Sequence, residues 1–278
     1  MLPEIGFGTW RYRGGLEPLK AAIEHGARFI DTAESYGSEP VVGQAIRGLR
    51  QSLILATKVS PRHFRHADVL QAADRSLKRL GTDYIDLYQL HWPNHTVPIQ
   101  ETMSAMERLV DAGKVRFIGV SNFSLRELKA AQRALSKYRI VSNQVRYNLR
   151  DRTIEVELLD YCDANQITVI AHSPLGGSWS QFAAEDGSQA LQAVAGRTGK
   201  TAAQIALNWC LAPARVVAIP KSDSVAHVIE NCAASGWRLS TGDLAELNTE
   251  IPFRCRSRIE IRLRQMARYC SQKLGRNL

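Results

Sequence analysis

No apolar run in this 278-residue chain approaches the roughly 20 residues that a helix needs to cross a bilayer, which excludes a helical membrane span. Cysteine is scarce. The five residues Cys162, Cys210, Cys232, Cys255 and Cys270 are odd in number and show no C-x-x-C spacing, which argues against a disulfide or zinc framework. Free thiols in a reducing compartment are expected instead, and the cytoplasm is the expected location. The first residues, MLPEIGFGTW, carry neither a charged n-region nor an apolar h-region, so no secretory signal is expected. Proline-rich and low-complexity linkers are also missing, which removes the usual marks of a domain boundary.

What is present alternates regularly. Composition is 45% apolar and 23% charged, enough for a full core. Short apolar or β-branched runs recur at IGFGTW (5–10), FIDTA (29–33), LILATKV (53–59), DLYQLH (86–91), VRFIGVS (115–121), VSNQVRY (141–147), TVIAHS (168–173) and VVAIPKS (216–222). Most are continuous rather than strictly alternating, the pattern of parallel strands covered by helices. Helical stripes intervene, such as Val42, Ala45, Ile46 and Leu49, or Met103, Met106 and Val110. The stretch Asp111-Ala112-Gly113-Lys114 supplies a glycine stop before the fifth strand. Eight strands, each followed by a helix with right-handed crossovers, predict an α/β fold closed as a (β/α)8 TIM barrel over residues 1–252. An open doubly wound sheet would carry G-x-G-x-x-G after its first strand. Here Gly6-Phe7-Gly8-Thr9-Trp10-Arg11 lacks the third glycine and inserts an aromatic.

Functional side chains of a parallel barrel gather at the C-terminal strand ends and in the loops beyond them. That rule selects Asp31 on the second strand, Tyr36 just after it, Lys58 on the third and His91 ending the fourth. Each has an ordinary explanation alone: a turn cap, a loop aromatic, a surface ion pair, a core histidine. Together, an acid, a phenol, an amine and an imidazole in one mouth form a proton-transfer set. The pairs His63/His66 and His91/His95 have spacings that suggest ligands, but Pro93 breaks a regular helix through the second pair, and no metal is expected.

The segments GFGTW, FIDTAESYGSEPVVGQAI, LILATKV, DYIDLYQLHWP, VRFIGVSNF, NQVRYN and IPKS, in this order from residue 5 to about 231, resemble the signature blocks of the aldo-keto reductase superfamily. The resemblance implies a (β/α)8 barrel that reduces aldehydes or ketones with NAD(P)H and without a Rossmann fold. It makes Tyr36 the general acid for the carbonyl oxygen. A free phenol titrates near 10, roughly, and the Lys58 ammonium is expected to bring its proton within reach of neutral pH. Asp31 then holds Lys58 charged and in place, and His91 orients and polarises the carbonyl. Trp10, Trp92 and Phe123 are expected to line an apolar mouth beside Tyr36 and His91.

The same resemblance carries over the cofactor contacts. Ser121, Asn122 and Gln144 match the nicotinamide carboxamide site, with Gly8, Thr9, Trp10 and Asp31 nearby. His172 stands where the family commonly stacks a large aromatic on the nicotinamide, and Ser173, Pro174, Leu175 and Gly176 follow along the pyrophosphate. Ile219, Pro220, Lys221 and Ser222, then His227 and Asn231, match the pocket for adenosine 2′-phosphate and adenine. His227 replaces an arginine that many NADP-preferring members carry, which leaves Lys221 as the principal cation there. NADPH is the expected cofactor, with NADH as the alternative. The expected partner is a small carbonyl substrate, on a monomer or weak homo-oligomer.

Net charge is +9, and eight basic residues against the single acid Glu260 place +7 of it from Arg254 onward. Residues 253–278 read as a basic C-terminal extension, helical, with Ile259, Leu263, Met266 and Cys270 on one face. Packing of that face against the barrel is expected. A phosphate- or membrane-surface role and a lid for anionic substrates are the alternatives. A nucleic-acid-binding function is not expected, because the basic residues lack aromatic interleaving and any recognisable module. A cofactor-binding regulatory subunit of the same fold, resembling ion-channel β-subunits, is the alternative to an enzyme.

Overall fold

The computed structural model describes residues 2–176 and 188–273. Its strands are β1 (Phe7–Gly8), β2 (Phe29–Asp31), β3 (Ile54–Val59), β4 (Ile85–Leu90), β5 (Val115–Ser121), β6 (Ile140–Arg146), β7 (Thr168–His172) and β8 (Val216–Ala218). All neighbours pair in parallel and in sequence order. A parallel bridge from Ile5 to Ala218 joins the last strand to the first, with Gly6 N donating to Ala218 O at 2.8 Å and Gly8 N to Pro220 O at 3.1 Å. The sheet therefore curls round on itself as a (β/α)8 barrel. Each expected strand is present. The first and last are shorter than the sequence suggests, and the IPKS residues lie in the loop after β8.

The helices are α1 (Glu17–Glu24), α2 (Glu39–Ala45), α3 (His66–Leu80), α4 (Ile99–Asp111), α5 (Leu125–Ala134), α6 (Leu158–Ala164), α7 (Ser188–Thr198), α8 (Ala202–Cys210), α9 (Val225–Cys232), α10 (Thr241–Glu250) and α11 (Arg258–Lys273). Outward strand residues such as Ile30, Leu55, Leu90 and Val120 pack against helix residues such as Leu19, Val42, Met103, Met106 and Leu128. Leu49 departs from its expected stripe. α2 ends at Ala45, the chain passes through left-handed Gly48 (φ 78°), and Leu49 emerges 43% exposed. Gly113 does stop α4 as expected, in the left-handed region at φ 71°.

The strand period of two sorts the interior by height. Phe29, Ala56, Leu87, Ile170 and Val217 form an apolar plug inside the barrel. Two residues further along the same faces stand Asp31, Lys58 and Gln89, and neighbouring strands add Ser121, Gln144 and His172. Register aligns Lys58 with Gln89 and Ser121 with Gln144. A Cβ at Gly119 would sit 2.5 Å from Ser142 Oγ and 3.0 Å from Gln89 Cγ, so glycine there leaves room for the Gln89 side chain. The helices thus cover an apolar barrel whose C-terminal end is lined with polar groups.

The extension differs from its expected packing. The chain is pinned where it leaves α10: Arg254 N donates to Arg150 O at 2.7 Å, and the Arg152 guanidinium lies 4.1 Å from the Phe253 ring centroid. α11 then turns Ile261, Gln265, Arg268 and Gln272 toward the barrel, and leaves Ile259, Leu263 and Met266 72%, 60% and 64% exposed. The surface beneath is a polar loop. Gln272 Oε1 accepts from His95 N and its Nε2 donates to Pro93 O, both at 2.9 Å, while Arg268 lies 5.1 Å from the Trp92 ring centroid. An apolar stripe laid on those backbone groups would leave them without partners. Arg276 lies outside the described residues.

Candidate active site

Asp31, Lys58, Tyr36 and His91 meet at the mouth. Asp31 and Lys58 end adjacent inward faces. Tyr36 rides on a 3-10 turn (Glu34–Tyr36) closed by left-handed Gly37, which brings the phenol back over the barrel. Lys58 Nζ donates to Asp31 Oδ2 at 2.6 Å and to Thr32 O at 2.8 Å, with both charged side chains buried. The other Asp31 oxygen accepts from Gln144 Nε2 at 2.7 Å and Gln89 Nε2 at 3.2 Å. A buried pair is costly unless its remaining lone pairs are satisfied, and here they are. The Lys58 ammonium lies 5.0 Å from the Tyr36 ring centroid, and Tyr36 Oη lies 3.2 Å from His91 Nε2, close enough to share a hydrogen.

The electrostatics separate the roles of these groups. Burial opposes the charge on Lys58, but Asp31 and then Tyr36 outweigh it and lift the ammonium above the ordinary lysine range. Burial pushes the Tyr36 phenol up, and Lys58 pulls against it without reversing the shift. This corrects the expectation that Lys58 brings the phenol down toward neutrality. Desolvation of the phenolate is the larger effect, so Tyr36 rests protonated. Burial, with Lys58 and His172 adding to it, holds His91 down at about 3, and burial with Lys58 and Arg146 does the same for His172. Both imidazoles are neutral at pH 7.

These depressed histidines make stability depend on acid. The unfolded chain takes up their protons near the ordinary value of 6.5, whereas the folded chain resists to about 3. Their contribution is fully present above about 6.5 and is lost as pH falls from there toward 3. The thermal midpoint is expected to fall between pH 6.5 and about 4.5, before most carboxylates titrate, and His172→Phe is expected to flatten that slope. A wild-type midpoint constant over this window would contradict it.

Around the four lies a rim of amides and hydroxyls. Ser121 Oγ donates to Gln144 O at 3.0 Å, and Asn122 Nδ2 donates to His91 O at 3.1 Å. Asn122 sits in the left-handed region at φ 62°, with its Oδ1 3.1 Å from His172 Nε2. The capping box of Ser124 and Glu127 starts α5 immediately after these residues and fixes their loop. Ser173 (φ 50°) and Gly176 are held by Asn148 Nδ2 to Ser173 O at 3.0 Å and Arg146 Nη2 to Gly176 O at 2.7 Å, with Pro174 buried and Leu175 against the core. Thr9 Oγ1 donates to Asp31 O at 3.0 Å, and Gly8 approaches Ile219 O so closely that a Cβ would sit 2.8 Å away.

After β8, Lys221 pairs with Asp223, whose other oxygen accepts from Arg13 N at 2.8 Å. Ser222 and Asn231 are buried, and His227 is exposed. Trp10 and Trp92 are 51% and 41% exposed at the mouth. Phe123 is not there: it is 3% exposed within the main core, beneath the loop that carries Asn122. Of the histidines at ligand-like spacing, His63 Nδ1 lies 2.9 Å from Glu34 and His95 Nε2 lies 3.1 Å from Glu127. The sequence reading missed Gln89, the Thr32 carbonyl and the Arg13–Asp223 clasp. Only Gln89 had a signal, being two residues before His91 on the same strand face.

Comparison with known proteins bears on this arrangement. A model of the Aldo/keto reductase family matches residues 4–250. The chain is 37% identical over 262 residues to methylglyoxal reductase YeaE of Escherichia coli (strain K12), covering 90% of this chain and 92% of that protein. It is 35% identical over 253 residues to glyoxal reductase of Bacillus subtilis (strain 168), with 89% and 88% covered. Among solved structures, an aldo/keto reductase from Klebsiella pneumoniae in complex with NADP and acetate superposes with a TM-score of 0.84 at 40% identity, covering 92% of this chain and 94% of that one.

Proposed function

This chain belongs to the aldo/keto reductase family and is a nicotinamide-dependent oxidoreductase, and we propose that it reduces small aldehydes and ketones, α-oxoaldehydes among them, with NADPH. The observation that carries the reading is the protonated Tyr36 hydroxyl beside neutral His91 and the buried Lys58–Asp31 pair. The names of the methylglyoxal and glyoxal reductases support the substrate class. The NADP-bound relative supports the cofactor.

The donor set suits that cofactor. Ser121, Asn122 and Gln144 offer donors and acceptors together, which a carboxamide requires. Lys221 and Ser222 beside the start of α9 offer a cation and N-terminal N–H groups, which a phosphate requires. When bound, the nicotinamide supplies the hydride. Tyr36 gives its proton to the carbonyl oxygen, because His91 at about 3 is neutral and has no spare proton. His91 keeps its ring proton and aligns the same oxygen through an N–H hydrogen bond. Lys58 stabilises the phenolate left behind, and Asp31 keeps Lys58 from tilting away. All four groups have work in this scheme, which favours catalysis over a regulatory, cofactor-binding role. No described helix is long and apolar enough to cross a membrane, and a cytoplasmic enzyme is the reading we adopt.

Purified protein is expected to oxidise NADPH when methylglyoxal or a simple aldehyde is added. Binding of NADPH without turnover of any carbonyl would mean a regulatory subunit instead. Lys221→Ala is expected to weaken NADPH by about ten- to a hundredfold, the scale of one charge-assisted hydrogen bond, and NADH far less. The loss includes repulsion, since Asp223 would then face the 2′-phosphate with no cation beside it. Fluorescence titration of both cofactors checks this, and equal weakening would show that Lys221 does not read the phosphate.

A further inference from the structure

α11 is held to the barrel by its polar face and shows its apolar face to solvent. Ile259, Leu263, Met266 and Cys270 recur at helical spacing and are all exposed. Gln272 and Arg268, on the opposite side, make the contacts to the loop after β4. That is the reverse of a helix added to complete a core. Along one border of the stripe, an open cavity of about 550 Å³ runs between α5 and α11. Arg126, Lys129 and Arg133 line it from successive turns of α5, Arg258 and Arg262 from successive turns of α11, and Glu157 is its one acid. Arg258 reaches that acid at 3.5 Å. Among the described residues, no carboxylate lies within ion-pair distance of the other four cations.

An apolar ridge beside a cationic band, on a helix already lying flat against the protein, has the chemistry of an interfacial amphipathic helix. We propose that this face docks on an anionic phospholipid surface, with Ile259, Leu263 and Met266 entering the interface and the α5 and α11 cations meeting lipid phosphates. At sixteen residues α11 is about 24 Å long, and with arginines along it, it lies on a bilayer and does not span it. Charge decides against a second copy of the chain as the occupant, because pairing two such faces would bring two cationic bands together. α11 contacts the loop after β4, so docking holds the barrel mouth on the membrane side.

The full-length protein is sedimented with phosphatidylcholine vesicles and with mixed phosphatidylcholine–phosphatidylglycerol vesicles, at low and high salt. Binding to the mixed vesicles alone is expected, weakening with salt. The variant Leu263→Glu/Met266→Glu is expected to abolish it. Arg126→Ala/Lys129→Ala/Arg133→Ala is expected to reduce it by about a hundredfold, roughly fivefold per cation. These side chains are exposed and apart from the four mouth residues, so reductase turnover should be unchanged in both variants. The proposal is overturned if the mixed vesicles do not bind the protein. It is also overturned if the Leu263→Glu/Met266→Glu variant binds them fully, which would mean charge attraction alone. Conversion of a dimer to a monomer by that variant in light scattering, without vesicle binding, would assign the face to a second copy.

Discussion

Tyr36→Phe is expected to lower kcat by at least about a hundredfold, the usual scale for losing a general acid, while NADPH binding is unchanged. The substitution removes one oxygen from a side chain whose ring already packs edge-on against His91, with centroids 5.3 Å apart. The ring and its neighbours keep their places, so the loss isolates proton transfer. His91 cannot substitute, because burial holds it neutral far below pH 7. Turnover near wild type in this variant would mean that the proton comes from elsewhere. A loss confined to KM would mean that Tyr36 only binds substrate.

Lys58→Met is expected to be the most damaging single change. It leaves the buried Asp31 carboxylate with two amide donors and no counter-charge, a loss of about 3–5 kcal/mol by the usual scale for breaking a buried pair. A thermal midpoint lower by roughly 10 °C follows for a chain of this size. Turnover should also fall by about a hundredfold or more, because the phenolate formed at Tyr36 loses its neighbouring cation. The two losses separate on adding Asp31→Asn. Replacing both partners removes the unpaired charge, so most of the stability should return and none of the activity. A double variant that regained turnover would show Lys58 to be structural only. Alkaline pH tests the same pair. Lys58 is raised on folding, so its contribution is fully present below about 10.5 and is lost as pH rises through the folded value. The wild type and Lys58→Met should therefore converge only at the alkaline extreme.

The order of strands and three of the four mouth residues were legible in the sequence for one physical reason, and Tyr36 for its place in the loop that follows the second strand. Parallel strands buried on both faces leave continuous apolar runs, and in a barrel the polar residues ending those runs must point to one end. Asp31, Lys58 and His91 could be read that way, and Gln89 could have been, from its phase with His91. Phe123 and Leu49 could not, since the same apolar residue lines a mouth, fills a core or meets solvent according to where the neighbouring turn ends. The resting protonation of Tyr36 also escaped, because it depends on how far the folded barrel buries the phenol and not on which cation is near in the chain. α11 shows the division most sharply. Its composition determined an amphipathic basic helix, whereas only the tertiary structure decided which face met the barrel. The surface it reached was the loop after β4, where His95 N and Pro93 O took the Gln272 amide and the Trp92 ring took Arg268, which left the apolar edge outside.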